Sequence, residues 1–333
     1  MLDVLRLDFD PTVALFGLTV RLETLALAAV ILIVLVLAAL GAGRMRARLD
    51  EQAERSAVGS GLLRRDALIL IAFGAVPGAV VGGRIGYGLV HLDYYRTNLG
   101  LLANPGQGGL TLTLAVVLGV VSALAVARLL AAPIGRWLHV AAVPLLIGLG
   151  LGKLGMVLGA DGQGQFSSDS WATVYTRPGQ WQSPNPDSAA LPSQVLEGGL
   201  VLLAAVLMIA VPFLLRLRFR PWRQIVRPAD LAPRREWAAL TGFRRFVTAL
   251  CLWAVARFAA AFTWRDAHVL GPLGVEQLLL VGVLVGCLAV LIAAWLRDRY
   301  RARAAAGTTG GAAVRGIRFD RRRVRSGRAP LDR

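Results

Sequence analysis

The sequence predicts an all-α, polytopic membrane protein of seven transmembrane helices, with the N-terminus outside and the C-terminus in the cytoplasm. Three observations predict it. The 333-residue chain is 56% apolar, and its mean hydropathy of +0.60 exceeds that of an ordinary soluble domain. Seven apolar runs each come near the roughly 20 residues that a bilayer-spanning helix needs. Arginines crowd into alternate connections between those runs, which is the positive-inside pattern.

The first run, Thr24–Gly43, is long. Asp3, Glu23 and the lack of a small-residue cleavage signal argue against a removed signal peptide. Arg44, Arg46, Arg48, Arg55, Arg64 and Arg65 follow it. The second run, Ala67–His91, carries Gly74, Gly78, Gly82 and Gly86 on one helix face, a spacing that admits a close neighbour. The third, Leu110–Leu130, leads to Arg128 and Arg136. The fourth, His139–Leu158, repeats the small-residue spacing with Gly148 and Gly152, then Gly155 and Gly159. Both glycine-faced helices are expected at the centre of the bundle. Neither glycine set is a phosphate loop, since neither follows a strand.

A long outer loop, residues 160–192, comes next; it is rich in Gln, Ser, Asp and Pro and carries Trp171, Tyr175 and Trp181. Those aromatics suit the bilayer interface, or alternatively a small outer head that receives a substrate. The fifth run, Ser193–Leu215, is followed by Arg216, Arg218, Arg220, Arg223, Arg227, Arg234 and Arg235. The sixth is Leu240–Phe262 and the seventh Val275–Leu296. The remaining connections hold one arginine each: Arg96, Arg177 and Arg265. Residues 1–298 thus form the transmembrane domain. Residues 299–333 form an Arg-rich cytoplasmic tail, expected to be disordered, hinged at Gly307–Gly311 and attracted to anionic membrane lipids.

The net charge of +17 does not imply nucleic acid, which would need a basic face on a soluble domain. Cys251 and Cys287 lie in apolar runs, so there is no disulfide framework and no metal spacing. No cofactor and no metal is expected.

Charge inside a span is costly and marks a functional site by default. Arg84, Lys153, Glu197 and Arg257 lie in four different runs, all roughly 6–11 Å below the outer surface at 1.5 Å per residue. Three cations against one carboxylate call for an anion, and a phospholipid phosphate is available at that depth. Lys153 is the single lysine among 37 lysines and arginines. It lacks the planar fork with which arginine grips phosphate.

These residues carry a resemblance. Gly82-Gly83-Arg84-Ile85-Gly86-Tyr87 resembles the GGRIGY run of the bacterial prolipoprotein diacylglyceryl transferase family. Gly150-Leu151-Gly152-Lys153-Leu154-Gly155 resembles its G-x-G-R-L-G signature, and Pro192-Ser193-Gln194-Val195-Leu196-Glu197 its P-S-Q-L-Y-E segment. Arg257 falls where the family has an essential Arg, and Gln277 where a G-Q pair opens the last span. The likeness runs from about Leu18 to Trp295.

The resemblance implies transfer of diacylglyceryl from phosphatidylglycerol to the lipobox Cys of a preprolipoprotein, at the bacterial plasma (inner) membrane. It implies Lys153, Arg257 and Asp161 as catalytic residues. Arg84, Gly83, Glu197, Gln194 and Gly155 would bind phosphatidylglycerol. The departures fall on chemistry. Thr113 stands at the family's His, Lys153 at its Arg, Met156 at its Asn and Leu25 at its Tyr. Ala261 stands at a Glu, and Gly159-Ala160-Asp161 at N-G-E. His91, His268 and Asp161 are the candidates for a replacement base. The alternative is a non-catalytic relative that binds phospholipid or handles lipoproteins. An anion transporter fits less well, because no broken-helix inverted repeat is visible.

Overall fold

The computed structural model describes residues 4–53, 64–104, 109–176, 187–218 and 234–323. Asp3, Arg55, Gly108, Arg177, Trp181, Arg220, Arg223 and Arg227 lie outside the described residues. The chain opens with three short strands, β1 (Leu5–Leu7), β2 (Thr12–Leu15) and β3 (Leu18–Arg21), before helix α1 (Leu22–Ala53). Helix α2 (Arg64–Ile69) passes through a π-helical turn (Leu70–Ala75) directly into α3 (Val76–Val90). Pro77 explains the turn: it offers no N–H, and its ring collides with the carbonyl one turn back. Then come α4 (Leu92–Tyr95), a 3₁₀ turn (Leu99–Ala103), α5 (Leu112–Leu129) and α6 (Ile134–Gly155). Strand β4 (Thr173–Tyr175), α7 (Ser193–Arg218), α8 (Arg234–Ala261), β5 (His268–Leu270), β6 (Leu273–Gly274) and α9 (Val275–Arg323) complete the order.

The apolar runs become helices because only a helix or closed barrel satisfies every backbone polar group away from water. Among the described residues, six helical stretches are long and apolar enough to cross a membrane: Leu22–Met45, Asp66–Val90, Leu112–Leu129, Ile134–Gly159, Ser193–Leu214 and Val275–Tyr300. Their outer faces expose Ile31, Leu32, Val81, Val206 and Val285. The protein is a polytopic, mostly helical membrane protein. The sixth expected run lies within α8, where Arg244, Arg245 and Arg257 interrupt the apolar sequence.

Two expectations need correction. The chain is not wholly α: β1 pairs in parallel with β4, while β2–β3 and β5–β6 are hairpins. All six strands sit in the connections at the bundle end where α1, α7 and α9 begin. Strands of two to four residues leave too little alternation to read from sequence. The tail is not hinged at Gly307–Gly311, since α9 runs unbroken to Arg323. Its Ala- and Arg-rich flanks are good helix formers, and they tolerate glycines costing about 1 kcal/mol each. Two compact units divide inside α9, after Cys287.

Helix α6 is the hub, packing on α1, α7 and α8. Gly148 faces Val34 and Gly152 faces Leu27 of α1, while Gly150 meets Gly198 and Leu202 of α7. Trp253, Leu146, Leu280 and Val201 fill the core between these helices. Helix α3 is not central as expected; its glycine face docks on α5. Gly78 lies against the Leu118 carbonyl and the Ser122 side chain, and Gly82 against Leu114 and Leu118.

That contact is testable. A methyl group at Gly78 would collide with a backbone oxygen, which cannot move aside as a flexible side chain can. Gly78→Ala is expected to cost about 1–3 kcal/mol, read as a lowered melting temperature in detergent. Gly199→Ala, where nothing lies within 4 Å, should not lower it.

Candidate active site

Helix α7 starts immediately after Pro192, and Ser193 Oγ donates to the Thr263 carbonyl at 2.9 Å. This pins the first turn of α7 to the end of α8. Glu197, one turn on, is fully buried, at 0% exposure. A buried carboxylate must be paired to be tolerated. Its Oε1 accepts from Arg257 Nη1 at 2.6 Å, and its Oε2 lies 3.2 Å from Lys153 Nζ. Arg257 also donates through Nη2 to Glu276 Oε2 at 3.2 Å and through Nε to Thr113 Oγ1 at 3.4 Å. The Thr113 hydroxyl donates in turn to Glu276 Oε2. Lys153 Nζ sits 4.3 Å from the centre of the Trp264 ring, a cation–π contact.

Two cations and two carboxylates therefore meet from α6, α7, α8 and α9. The expected surplus of three cations over one carboxylate is corrected on both sides. Glu276 adds a second carboxylate. Arg84 turns elsewhere, donating to the carbonyls of Leu102 (3.1 Å), Gly109 (3.3 Å) and Asn104. It binds α3 to the connection that leads into α5.

Beside the cluster lies a cavity of about 840 Å³ between α1, α3, α5 and α6. Lys153, Arg257, Asp266 and Glu276 line its polar wall, with Glu23 and His91 elsewhere on the lining. A second cavity, of about 340 Å³, is lined by apolar residues including Ala38, Leu70, Ala127, Trp137 and Phe246. The two share Val34, Ile71, Ala79, Leu112, Ala115 and Leu149 on their walls. Together they run from the charged cluster along α6 toward Trp137, roughly 24 Å away at 1.5 Å per residue. One end is ionic and the remainder is greasy, which is the shape of an amphipathic lipid.

The model of the prolipoprotein diacylglyceryl transferase family matches residues 13–295. The chain belongs to this family. No curated protein matches it by sequence. The family supplies a transferase frame and membrane, lipid and lipoprotein partners in general terms.

Within the transferase frame, the residues singled out from sequence separate into groups. Lys153, Glu197 and Arg257 meet as described. Gln194 is buried beside them and its Nε2 donates to the Tyr175 hydroxyl at 3.5 Å. Tyr175 donates to the Val157 carbonyl at 3.1 Å, and burial pushes its phenol up to about 12, so it stays a neutral donor. Gly83 accepts from the Thr111 N–H at 3.0 Å, and a methyl at Gly155 would sit 3.5 Å from Ala26, so both serve close packing. Asp161 is exposed on the turn after α6, where Oδ1 accepts from the Gly162 N–H at 2.7 Å. It does not line the cavity. His91 does; its Nδ1 lies 3.1 Å from the Tyr87 carbonyl and its ring stacks on Tyr87 at 4.2 Å. His268 is exposed in β5. Gln277 Oε1 accepts from the Gly274 N–H at 2.8 Å and holds the start of α9.

Sequence reasoning missed Glu276, Trp264 and Asp266. Glu276 carried the same signal as Glu197, an acid in the first turn of an apolar run. Trp264 and Asp266 carried none, because their roles depend on a loop folding back over the helix ends.

Arg257 is the keystone of the cluster. Arg257→Ala would leave Glu197 and Glu276 without their shared partner, and breaking a buried pair costs about 3–5 kcal/mol. A large fall in melting temperature is expected for it, and none for Asp161→Asn at its exposed turn. Equal effects from the two would refute this ranking.

Proposed function

We propose that this protein transfers the diacylglyceryl group of phosphatidylglycerol to the lipobox Cys of a preprolipoprotein at the bacterial inner (plasma) membrane. The observation that carries the reading is Arg257, held by Glu197 and Glu276 at the wall of a cavity that continues into an apolar groove. The phosphodiester would lie against Arg257 and Lys153, and an acyl chain would follow the groove toward Trp137. Helix α8 would be the seventh span, with the N-terminus outside and the C-terminus in the cytoplasm. The cluster and strands would then face outward, where lipobox cysteines emerge.

In this reaction the acceptor sulfur forms a thioether bond to the terminal glycerol carbon of the diacylglyceryl group. The bond from that carbon to the phosphate oxygen breaks, and its electron pair leaves with glycerol phosphate. The thiolate is the attacking species, so the thiol proton must pass to a base. Charge growing on the leaving phosphate is stabilised by fixed positive groups. Arg257 and Lys153 take that role. Glu197 holds both cations in place before substrate arrives, which removes reorganisation from the reaction itself. Arg84 holds the connection entering α5 at the cavity's edge. Gly83 and Gly155 keep its walls close, and Gln194 braces Glu197's turn against Tyr175. Asp161 caps the turn after α6 and so sets the end of the lysine-bearing helix.

A second reading has its own observation. Thr113, at the position where the resemblance expects His, is buried with its hydroxyl committed to Glu276. It cannot accept a proton near neutral pH. A relative that holds the lipid without reacting would look like this.

One assay separates the two. The purified protein, with phosphatidylglycerol in mild detergent, is given a synthetic lipobox peptide, and the peptide's mass is followed. The transferase reading expects a gain of one diacylglyceryl group, abolished by Arg257→Ala and by Cys→Ser in the peptide. Retained phosphatidylglycerol with an unmodified peptide would favour the lipid-holding reading.

A further inference from the structure

The reaction just described needs a group to take the acceptor's proton, and Thr113 cannot. Resting on the transferase reading, the geometry points to Asp266 as the base that takes the acceptor thiol's proton. Asp266 lines the cavity in company with Lys153, Arg257, Trp264 and Glu276. It is exposed, so an entering peptide can reach it. No hydrogen bond or ion pair closes on its carboxylate among the described residues.

The other acids in reach are engaged. Glu197 is shared by Arg257 and Lys153, and Glu276 serves Arg257 and Thr113. Glu23 pairs with Arg21 at 3.0 Å. Asp266 alone of the cavity's carboxylates combines access with proximity to the cations that receive the phosphate.

Its segment is held firmly, as a base must be. The Thr263 carbonyl accepts from Ser193 Oγ and from the Gln165 N–H. Arg265 turns away to donate to the Gly164 carbonyl and lies 3.9 Å from the centre of the Phe166 ring. The β5–β6 hairpin fixes the other side.

The charges facing Asp266 come from four helices: Arg257 of α8, Glu276 of α9, Lys153 of α6 and Glu197 of α7. His91, just past the end of α3, and Glu23 of α1 line the cavity too. Although the residue keeps a solvent-exposed face, loss of water around the carboxyl at the cavity wall is the largest influence and raises it above its ordinary range; Arg257 and Lys153 oppose it, and Glu276 and Glu197 reinforce it. The sign follows: Asp266 works as a base only when ionised, so kcat/KM should rise with pH through a value above the usual carboxylate range of about 3.9. A base whose pKa approaches that of the thiol also takes its proton more readily.

The test is a pH profile of kcat/KM for the full-length wild type, Asp266→Asn and Asp266→Glu in phosphatidylglycerol-containing detergent, with a lipobox peptide. Asp266→Asn is expected to slow transfer by about 10²–10⁴-fold near neutral pH. Its residual rate should climb with pH toward the thiol's own ionisation near 8.5. Asp266→Glu should keep the acid limb. A peptide carrying selenocysteine, whose selenolate is already ionised, should restore Asp266→Asn to within a few-fold of wild type.

An Asn variant with wild-type rate and profile overturns the assignment. So does one equally slow with selenocysteine, which would mark a structural role. Selenocysteine rescue of His91→Asn instead would give the base to His91. No transfer by the wild type would sink the transferase reading itself, and the assignment with it.

Discussion

Everything at the charged end of this bundle depends on one buried carboxylate. Glu197 has no exposure, and it tolerates burial only because each of its oxygens meets a cation from a different helix. Arg257 extends the tie to α9 through Glu276, and Thr113 extends it to α5. Five helices are thus held in register by one polar network. Such networks are unforgiving, since a half-satisfied one is worse than none. They also place cations with little freedom, which is what a site that must meet a phosphate requires.

Glycine packing explains why the cavity lies where it does. Glycines let α6 draw close to α1 and α7, and let α3 draw close to α5. The α1–α6 and α3–α5 contacts leave a gap between those two pairs, and that gap is the cavity. Small residues therefore do two jobs by absence of side chain: they bring some backbones together and, by doing so, leave space elsewhere.

Much of this was legible in the sequence, but unevenly. Apolar runs and arginine bias gave the helices and their order, since both signals are local. Glu197, Arg257 and Lys153 were legible because charge is rare inside apolar runs. Arg84 shows the limit of that logic. Its depth matched the other three, yet helical phase and the nearby carbonyls of Leu102, Asn104 and Gly109 sent it elsewhere. Depth is one coordinate, and a site needs three. The strands, Trp264 and Asp266 were not legible, because pairs such as β1 with β4 join segments more than 160 residues apart, a closure no local pattern records.

The lone lysine now has a physical account. Glu197 offers one oxygen to Arg257 and one to Lys153. Arg257 can divide its fork between two carboxylates because Glu276 lies on its other side. On the Lys153 side the second neighbour is the face of Trp264 instead. A compact ammonium suits that pair of partners, one oxygen and one π-face. Lys153, where the resemblance expects Arg, and Thr113, where it expects His, thus fall in one connected network. Thr113 is small enough to sit buried between Arg257 and Glu276 and still bond to both. The edge of that network toward the cavity is the loop that carries Trp264 and Asp266.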